Sequence, residues 1–226
     1  MSRKQIILSL GVLVVLAGLA AAWFSMGSGG MGLAAASAPG QALPVTAMDK
    51  TMGNPKAPIQ LVEYGAPTCS ICAYFNAESF PRLKRDYIDT GKVFYVFRVF
   101  PLRPEDGAVE NMARCLPEDK YFEFIDLLWR NQPKWDAAEY PGISDVHAAL
   151  VQQGRIAGMT AEQVDQCIAG KAQDERINKQ AADADARFHI TGTPTFIING
   201  AAQPAGAPPY ERMAKLLDAA LAATKK

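Results

Sequence analysis

The chain is 226 residues long, 49% hydrophobic and 20% charged, with 23 Lys+Arg balanced by 23 Asp+Glu. That length and apolar content suit one or two globular units with a sizeable core, and a net charge of zero gives no global attraction to nucleic acid, which is excluded as a partner class. Four cysteines are an even number that suits an oxidising compartment, provided the chain is exported.

Export is what the N-terminus predicts. Arg3 and Lys4 precede residues 6–24, a run of nineteen without a charge that is long for a signal-peptide core and just long enough to span a bilayer. The two basic residues would stay cytoplasmic and Trp23 would sit at the interface, leaving the bulk of the chain outside. Segment 1–24 is therefore expected to be a membrane anchor or signal sequence. Residues 25–47, uncharged and rich in Gly, Ala, Ser and Pro, read as a flexible tether. Ala36-Ser37-Ala38 has the small residues of a cleavage site, so the alternative is release as a soluble protein after cleavage near Ala38. The tether leaves no room for a dimerisation domain, and a monomer is expected.

From Met48 the pattern becomes that of a folded domain. The turn Asn54-Pro55-Lys56-Ala57-Pro58 leads to a strand over 59–64, a helix over 70–89 kinked by Pro81, a Thr90-Gly91 stop and an apolar strand, Val93–Val99. This is a β-α-β unit. Residues 105–188 then carry helical spacing only, as in Tyr121, Phe124, Ile125, Leu128 and Trp129. A capping box opens at Thr160 with Gln163, and a last helix covers 172–188. Strand character resumes at Thr195–Ile198, Asn199-Gly200 predicts a hairpin into 201–203, and a helix over Tyr210–Ala223 closes the chain. The expected division is 48–104 and 189–226 as one α/β domain, interrupted by a helical subdomain at 105–188.

Cys69-Ser70-Ile71-Cys72 lies where the first strand turns into the first helix. Unpaired N–H groups and the helix dipole favour a thiolate at Cys69, and Cys72, almost one turn on, faces back towards it. A pair so placed can, when reduced, attack a foreign disulfide and, when oxidised, be opened by a foreign thiolate and close again, with Cys69 as nucleophile and Cys72 as resolving thiol. Haem attachment would need His where Ala73 stands, and zinc would need two further ligands that the single Cys115 and Cys167 do not supply as a second knuckle. A structural bridge closing two intervening residues would constrain the unfolded chain little. No metal and no cofactor are expected.

Other residues leave alternatives open. Glu63 interrupts the first strand and either faces the core beneath the pair, with a raised pKa, or faces solvent. Thr193-Pro194 opens the returning strand and is either a cis bond that offers backbone to an extended substrate or a trans proline at a strand start. Cys115 and Cys167 read as a structural disulfide between two helices of the insertion, or else as two buried free thiols. His147 and His189 have no partner spacing and receive no role.

Taken together, Met52-Gly53-Asn54-Pro55-Lys56-Ala57-Pro58, Glu63-Tyr64, Cys69-Ser70-Ile71-Cys72, Phe100-Pro101-Leu102, Ala113-Arg114-Cys115 and Gly192-Thr193-Pro194-Thr195-Phe196 resemble bacterial thiol:disulfide interchange proteins of the DsbA type, most of all their alphaproteobacterial branch. The resemblance runs from about Met48 to the C-terminus. It implies a thioredoxin-like α/β fold with an inserted helical subdomain, a periplasmic location, and oxidation of cysteines in newly exported proteins, with a membrane partner that re-oxidises the pair. By the same resemblance Glu63 takes the buried acid position, Pro194 the cis-proline, Thr193 and Pro194 the substrate-binding loop, and Cys115 and Cys167 an extra cysteine pair. The chain departs from the family in one respect: Ser70-Ile71 stands where Pro-His is common, which implies less thiolate stabilisation and a less oxidising disulfide. A reductase or isomerase of the same fold is the first alternative. A chaperone or copper-handling protein using the two thiols as soft ligands is the second.

Overall fold

The computed structural model describes residues 41–224, so the expected anchor or signal at 1–24 and most of the tether lie outside it. Among the described residues no helix is long and apolar enough to cross a membrane. The centre is a five-stranded sheet of order β1-β3-β2-β4-β5, with β1 at Lys50–Met52, β2 at Ile59–Gly65, β3 at Val93–Val99, β4 at Thr195–Ile198 and β5 at Ala201–Ala202. β2 and β3 are parallel and the other pairs antiparallel. β2 is buried at every position, as its near-continuous apolar sequence requires of a central strand covered on both faces.

Strand alternation divides the core in two. Ile59, Leu61, Tyr95, Phe97, Phe196 and Ile198 face one layer of helices, whereas Val62, Tyr64, Val96 and Ile197 face Leu43, Ala184 and Ile190 on the other side. The helices are α1 (Ser70–Glu78), α2 (Phe80–Leu83), α3 (Pro104–Cys115), α4 (Tyr121–Arg130), α5 (Val146–Ile156), α6 (Ala161–Gly170), α7 (Asp174–Phe188) and α8 (Tyr210–Ala223). The predicted stripe of α4 is buried at all five positions, and Met213 and Leu217 carry α8 into the same core. Thr160 and Gln163 form the reciprocal capping pair at the start of α6. Cys115 at the end of α3 is joined to Cys167 of α6 by a disulfide with an S–S distance of 2.04 Å.

Three details differ from the sequence reading. The helix expected over 70–89 is not one kinked rod: it ends at Glu78, restarts as α2 and finishes in a π-type turn at Lys84–Ile88. Pro81 falls in the first turn of α2, where its missing N–H costs nothing. The strand β1 has no counterpart in the reading. Its three residues take their conformation from antiparallel pairing with Phe97, Val96 and Tyr95 rather than from a local pattern. Finally, Leu43 lies within the stretch expected to be a tether but is buried, exchanging hydrogen bonds of 2.6 and 2.9 Å with the side-chain amide of Gln60. A buried ion pair between Arg98 and Asp49 at 2.8 Å and a bond from Arg98 to the Pro44 carbonyl at 2.7 Å hold the rest of that segment against the sheet.

Candidate functional site

Cys69 and Cys72 sit at the C-terminal end of β2, where Ala66 to Cys69 make a tight turn closed by the Cys69 N–H on the Ala66 carbonyl at 3.1 Å. Cys69 is the N-cap of α1. Its sulfur accepts the Cys72 backbone N–H at 3.1 Å, the task a Ser or Asp side chain performs at other helix starts. Both cysteines are free thiols; Cys69 keeps 8% of its surface exposed and Cys72 none. Only Cys69 can therefore be reached by a partner molecule.

The two thiols differ electrically. A hydrogen bond from the Cys72 thiol, with help from the Cys72 and Ile71 amides, lowers the Cys69 pKa to about 6 against the cost of burial. Burial pushes Cys72 well up, and the negative charges of Cys69 and Glu63 push in the same direction. The two thiols are thus distinguished by position alone: Cys69, at the helix start and partly exposed, is the more acidic, and the buried Cys72 the less.

Glu63 faces the core, not solvent, with 1% of its surface exposed. Alternation along β2 places it on the helical face with Leu61, beneath α1. Its Oε2 accepts the Tyr95 hydroxyl at 2.8 Å, and its Oε1 has no hydrogen-bond partner. A Cβ built on Gly65 would stand 3.2 Å from Glu63 Oε1 and 3.6 Å from Cys72 Sγ, so the acid and the Cys72 thiol converge on one point. Burial raises the Glu63 pKa to about 8, against the opposing Tyr95 bond.

The peptide bond between Thr193 and Pro194 is cis. Because β4 runs antiparallel to β2 with Thr195 opposite Tyr64, this bond is delivered to the same end of the sheet as the cysteines. The Thr193 carbonyl lies 3.4 Å from Cys69 Sγ and accepts from the thiol. The Pro194 carbonyl accepts the Gly206 N–H at 2.8 Å. Outside the pair, Ile71 and Tyr74 on α1 are exposed by 49% and 59%, giving the rim of the site an apolar character. Cys115 and Cys167 lie apart from this site, in the helical layer. His147 is exposed beside Asp165 at 2.8 Å, and His189 is the exposed C-cap of α7. Among the described residues no cluster of three or more His, Cys, Asp or Glu stands where it could hold a metal ion.

The sequence pattern of the Thioredoxin family matches residues 46–219. The chain belongs to that family. Two relatives are candidate protein-disulfide oxidoreductases of Rickettsia, one from Rickettsia typhi, 33% identical over 154 residues, and one from Rickettsia bellii, 31% identical over 153. Each alignment covers 67% of this chain, which spans only 55% and 57% of the respective relatives. Among solved structures, alpha-DsbA1 of Wolbachia pipientis superposes with a TM-score of 0.72 at 27% identity, over 80% of this chain and 95% of that one. Within the thioredoxin family the chain is thus of the DsbA type, with the helical insertion of that fold.

Four residues that hold this thioredoxin-family site were given no role in it by the sequence, although Trp129 was placed on the apolar stripe of its helix. Tyr95 partners Glu63. Asp106, at the start of α3, accepts the Thr68 N–H and hydroxyl. Trp129 donates to the Ala66 carbonyl at 3.1 Å and Gln132 to the Pro67 carbonyl at 2.7 Å. Asp106 had a usable signal, since Pro104 followed by two acids marks a helix start. Trp129 and Gln132 had none, as their partners lie more than sixty positions away.

Proposed function

We propose that the chain is a thiol:disulfide oxidoreductase that introduces disulfides into exported proteins. The observation that carries the reading is the Cys69 sulfur, N-capping α1 and resting against the cis Thr193–Pro194 bond, above a buried Glu63. In the oxidised enzyme a substrate thiolate attacks Cys69, the Cys69–Cys72 bond breaks, and Cys72 leaves as a thiolate and is protonated. A second substrate thiolate then attacks the substrate sulfur of the mixed disulfide. It forms the product disulfide and expels the Cys69 thiolate, which the helix start stabilises. Glu63 is the proton donor and acceptor for Cys72; Thr193 and Pro194 bind the substrate backbone; Cys115 and Cys167 form a structural bridge.

The substrates are unfolded or newly exported cysteine-containing proteins, an assignment supported by the apolar rim at Ile71 and Tyr74. A membrane partner would re-oxidise the pair. The location is periplasmic, with segment 1–24 holding the chain to the inner membrane, or with release near Ala38, and the working unit is a monomer. Residues 48–104 and 189–226 form the redox domain and 105–188 the inserted subdomain.

The test is the reduction potential of the Cys69/Cys72 pair, titrated against glutathione with the full chain in mild detergent, with Cys69→Ser as control. A Cys69 pKa of about 6 falls between those of thioredoxin and the strong periplasmic oxidants. The expected potential accordingly lies between about −270 and −120 mV. A value at or below the thioredoxin limit would sink the oxidase reading in favour of a reductase, the alternative that Ser70-Ile71 favours. Full dithiol oxidation by the Cys69→Ser variant would remove Cys69 as nucleophile.

A further inference from the structure

Among the described residues Glu63 is the only carboxylate that acts on the cysteine pair, and its surroundings are unusual for a group that must gain and lose a proton. From β3 it meets Tyr95, from α1 the two cysteines, and from β4 the apolar Phe196 opposite it in register. From α4, Tyr121 reaches the neighbourhood of Tyr95 but spends its hydroxyl on Glu110. Among the described residues no Lys or Arg makes an ion pair with Glu63. A single neutral donor is therefore all that orients the carboxyl group.

We infer that Tyr95 is a positioning residue for proton transfer between Glu63 and Cys72: its hydroxyl fixes one carboxylate oxygen, and the other, unpartnered oxygen is thereby presented to the Cys72 thiol. The geometry is specific. Oε2 is held at 2.8 Å by Tyr95, whereas Oε1 has no partner and shares the space beside Gly65 with Cys72 Sγ. A carboxyl group on a strand turns freely about its last bond unless one oxygen is tied. Tying the oxygen remote from the thiol leaves the near one free to accept the proton.

The inference rests on the proposed dithiol/disulfide chemistry. In the resolving direction the Cys72 S–H proton passes to Glu63 Oε1, the Cys72 thiolate attacks Cys69 Sγ, the Cys69–Cys72 bond forms, and the bond from Cys69 to the foreign sulfur breaks with that sulfur leaving as a thiolate. In the donating direction the same proton returns from Glu63 to Cys72. No group beyond the foreign thiol is consumed. The Tyr95 hydroxyl also stabilises the ionised form of Glu63 selectively, because a donor to a carboxylate favours the charge.

The resolving step can be read alone. Reduced full-length protein is mixed with 5,5′-dithiobis(2-nitrobenzoate), which forms a mixed disulfide at Cys69, and the second release of thionitrobenzoate reports attack by Cys72. The wild-type rate should rise with pH along a limb set by Glu63. Tyr95→Phe removes the donor, so the limb should move up by about one pH unit, a rate loss of about tenfold below it. The Cys69 thiolate midpoint, followed by absorbance, should stay in place. In a Glu63→Gln background, Tyr95→Phe should change nothing further. A difluorotyrosine at position 95, a stronger donor of nearly the same shape, should move the limb down, and it replaces the phenylalanine variant should that fail to fold. An unmoved limb in both Tyr95 variants, or an equal shift in the Glu63→Gln background, would overturn the inference. Failure of the redox reading would show differently, as no second release in the wild type.

Discussion

Asp106 reaches from the first turn of α3 to Thr68, the residue before Cys69, and accepts its amide at 2.8 Å and its hydroxyl at 3.0 Å. The same carboxylate takes the Leu102 and Arg103 amides at 2.8 and 3.0 Å. One side chain therefore satisfies three backbone donors and ties the end of β3 and the start of the helical layer to the turn that aims Cys69. Asp106→Ala should cost about 3 kcal/mol or more, because each stranded buried donor carries a penalty of roughly 1–3 kcal/mol. Urea denaturation measures the loss. Alkylation of Cys69 should also lose its selectivity over Cys72 as the turn loosens, and unchanged stability would show that the turn holds itself.

Glu63 is a stability liability wherever it must ionise, because it is buried. Its folded pKa, raised by burial to about 8, lies above the ordinary 4.5, so the fold favours the protonated form. The associated stability is fully present below pH 4.5 and is lost as pH rises through the folded value near 8. Glu63→Gln keeps the neutral shape and should stabilise the protein by about 3 kcal/mol at pH 7 while removing this part of the pH dependence. The same variant should slow the resolving step. Thermal melts of both proteins at pH 5 and pH 8 decide the matter: a gap that does not widen with pH would mean that Glu63 ionises without cost.

How much of this was legible in the sequence depends on how local each signal is. The strand entering the cysteines, the helix leaving them and the Asn199-Gly200 hairpin, whose two φ angles are +45° and +80°, follow from residues adjacent in the chain. Glu63 could be singled out as a lone acid in an apolar strand, but its face could not be chosen until the register of β2 against β3 and β4 was known. Tyr95 was hidden by that same register, since nothing in Val93–Val99 marks one aromatic residue as a partner for an acid 32 positions earlier. The Arg98–Asp49 pair and the Gln60 clasp on Leu43 belong to this class too. They convert a compositionally tether-like segment into a packed one, and composition cannot report a contact made by a distant side chain.

The Cys115–Cys167 bridge joins α3, which carries Asp106, to α6 across 52 positions of sequence. On the chain-entropy model, closing a loop of that length should contribute about 4 kcal/mol. The double variant Cys115→Ala/Cys167→Ala should show this as a lowered urea midpoint with an unchanged or slightly larger slope. Its Cys69 midpoint should remain near the parent value, because among the described residues no hydrogen bond to Cys69 or Thr193 comes from either helix end. A shifted Cys69 midpoint would instead make the bridge part of the redox site.

The dipeptide between the active cysteines gives the sharpest test of what sets the potential. Ser70 is the first residue of α1, where proline is well tolerated because its missing N–H had no helical partner. Ile71 is 49% exposed, so an imidazole there displaces no core contact. The double substitution Ser70→Pro/Ile71→His should therefore fold like the parent. A protonated histidine beside Cys69 adds a positive charge to the hydrogen bonds that already bring its pKa to about 6, so the pKa should fall further. Where the thiolate is already the dominant form, each further unit stabilises the reduced enzyme by about 1.4 kcal/mol and raises the potential by roughly 30 mV. Thiolate absorbance against pH and titration against glutathione should move together by these amounts. The sign of the stability effect also follows: the lowered Cys69 pKa stabilises the reduced form above the unfolded thiol value, and that stability is lost as pH falls through the folded one. In the double variant this loss should begin at a lower pH than in the parent. A potential that rises without any fall in the thiolate midpoint would place the control in the oxidised form, as strain on the disulfide, and not in the charge on Cys69.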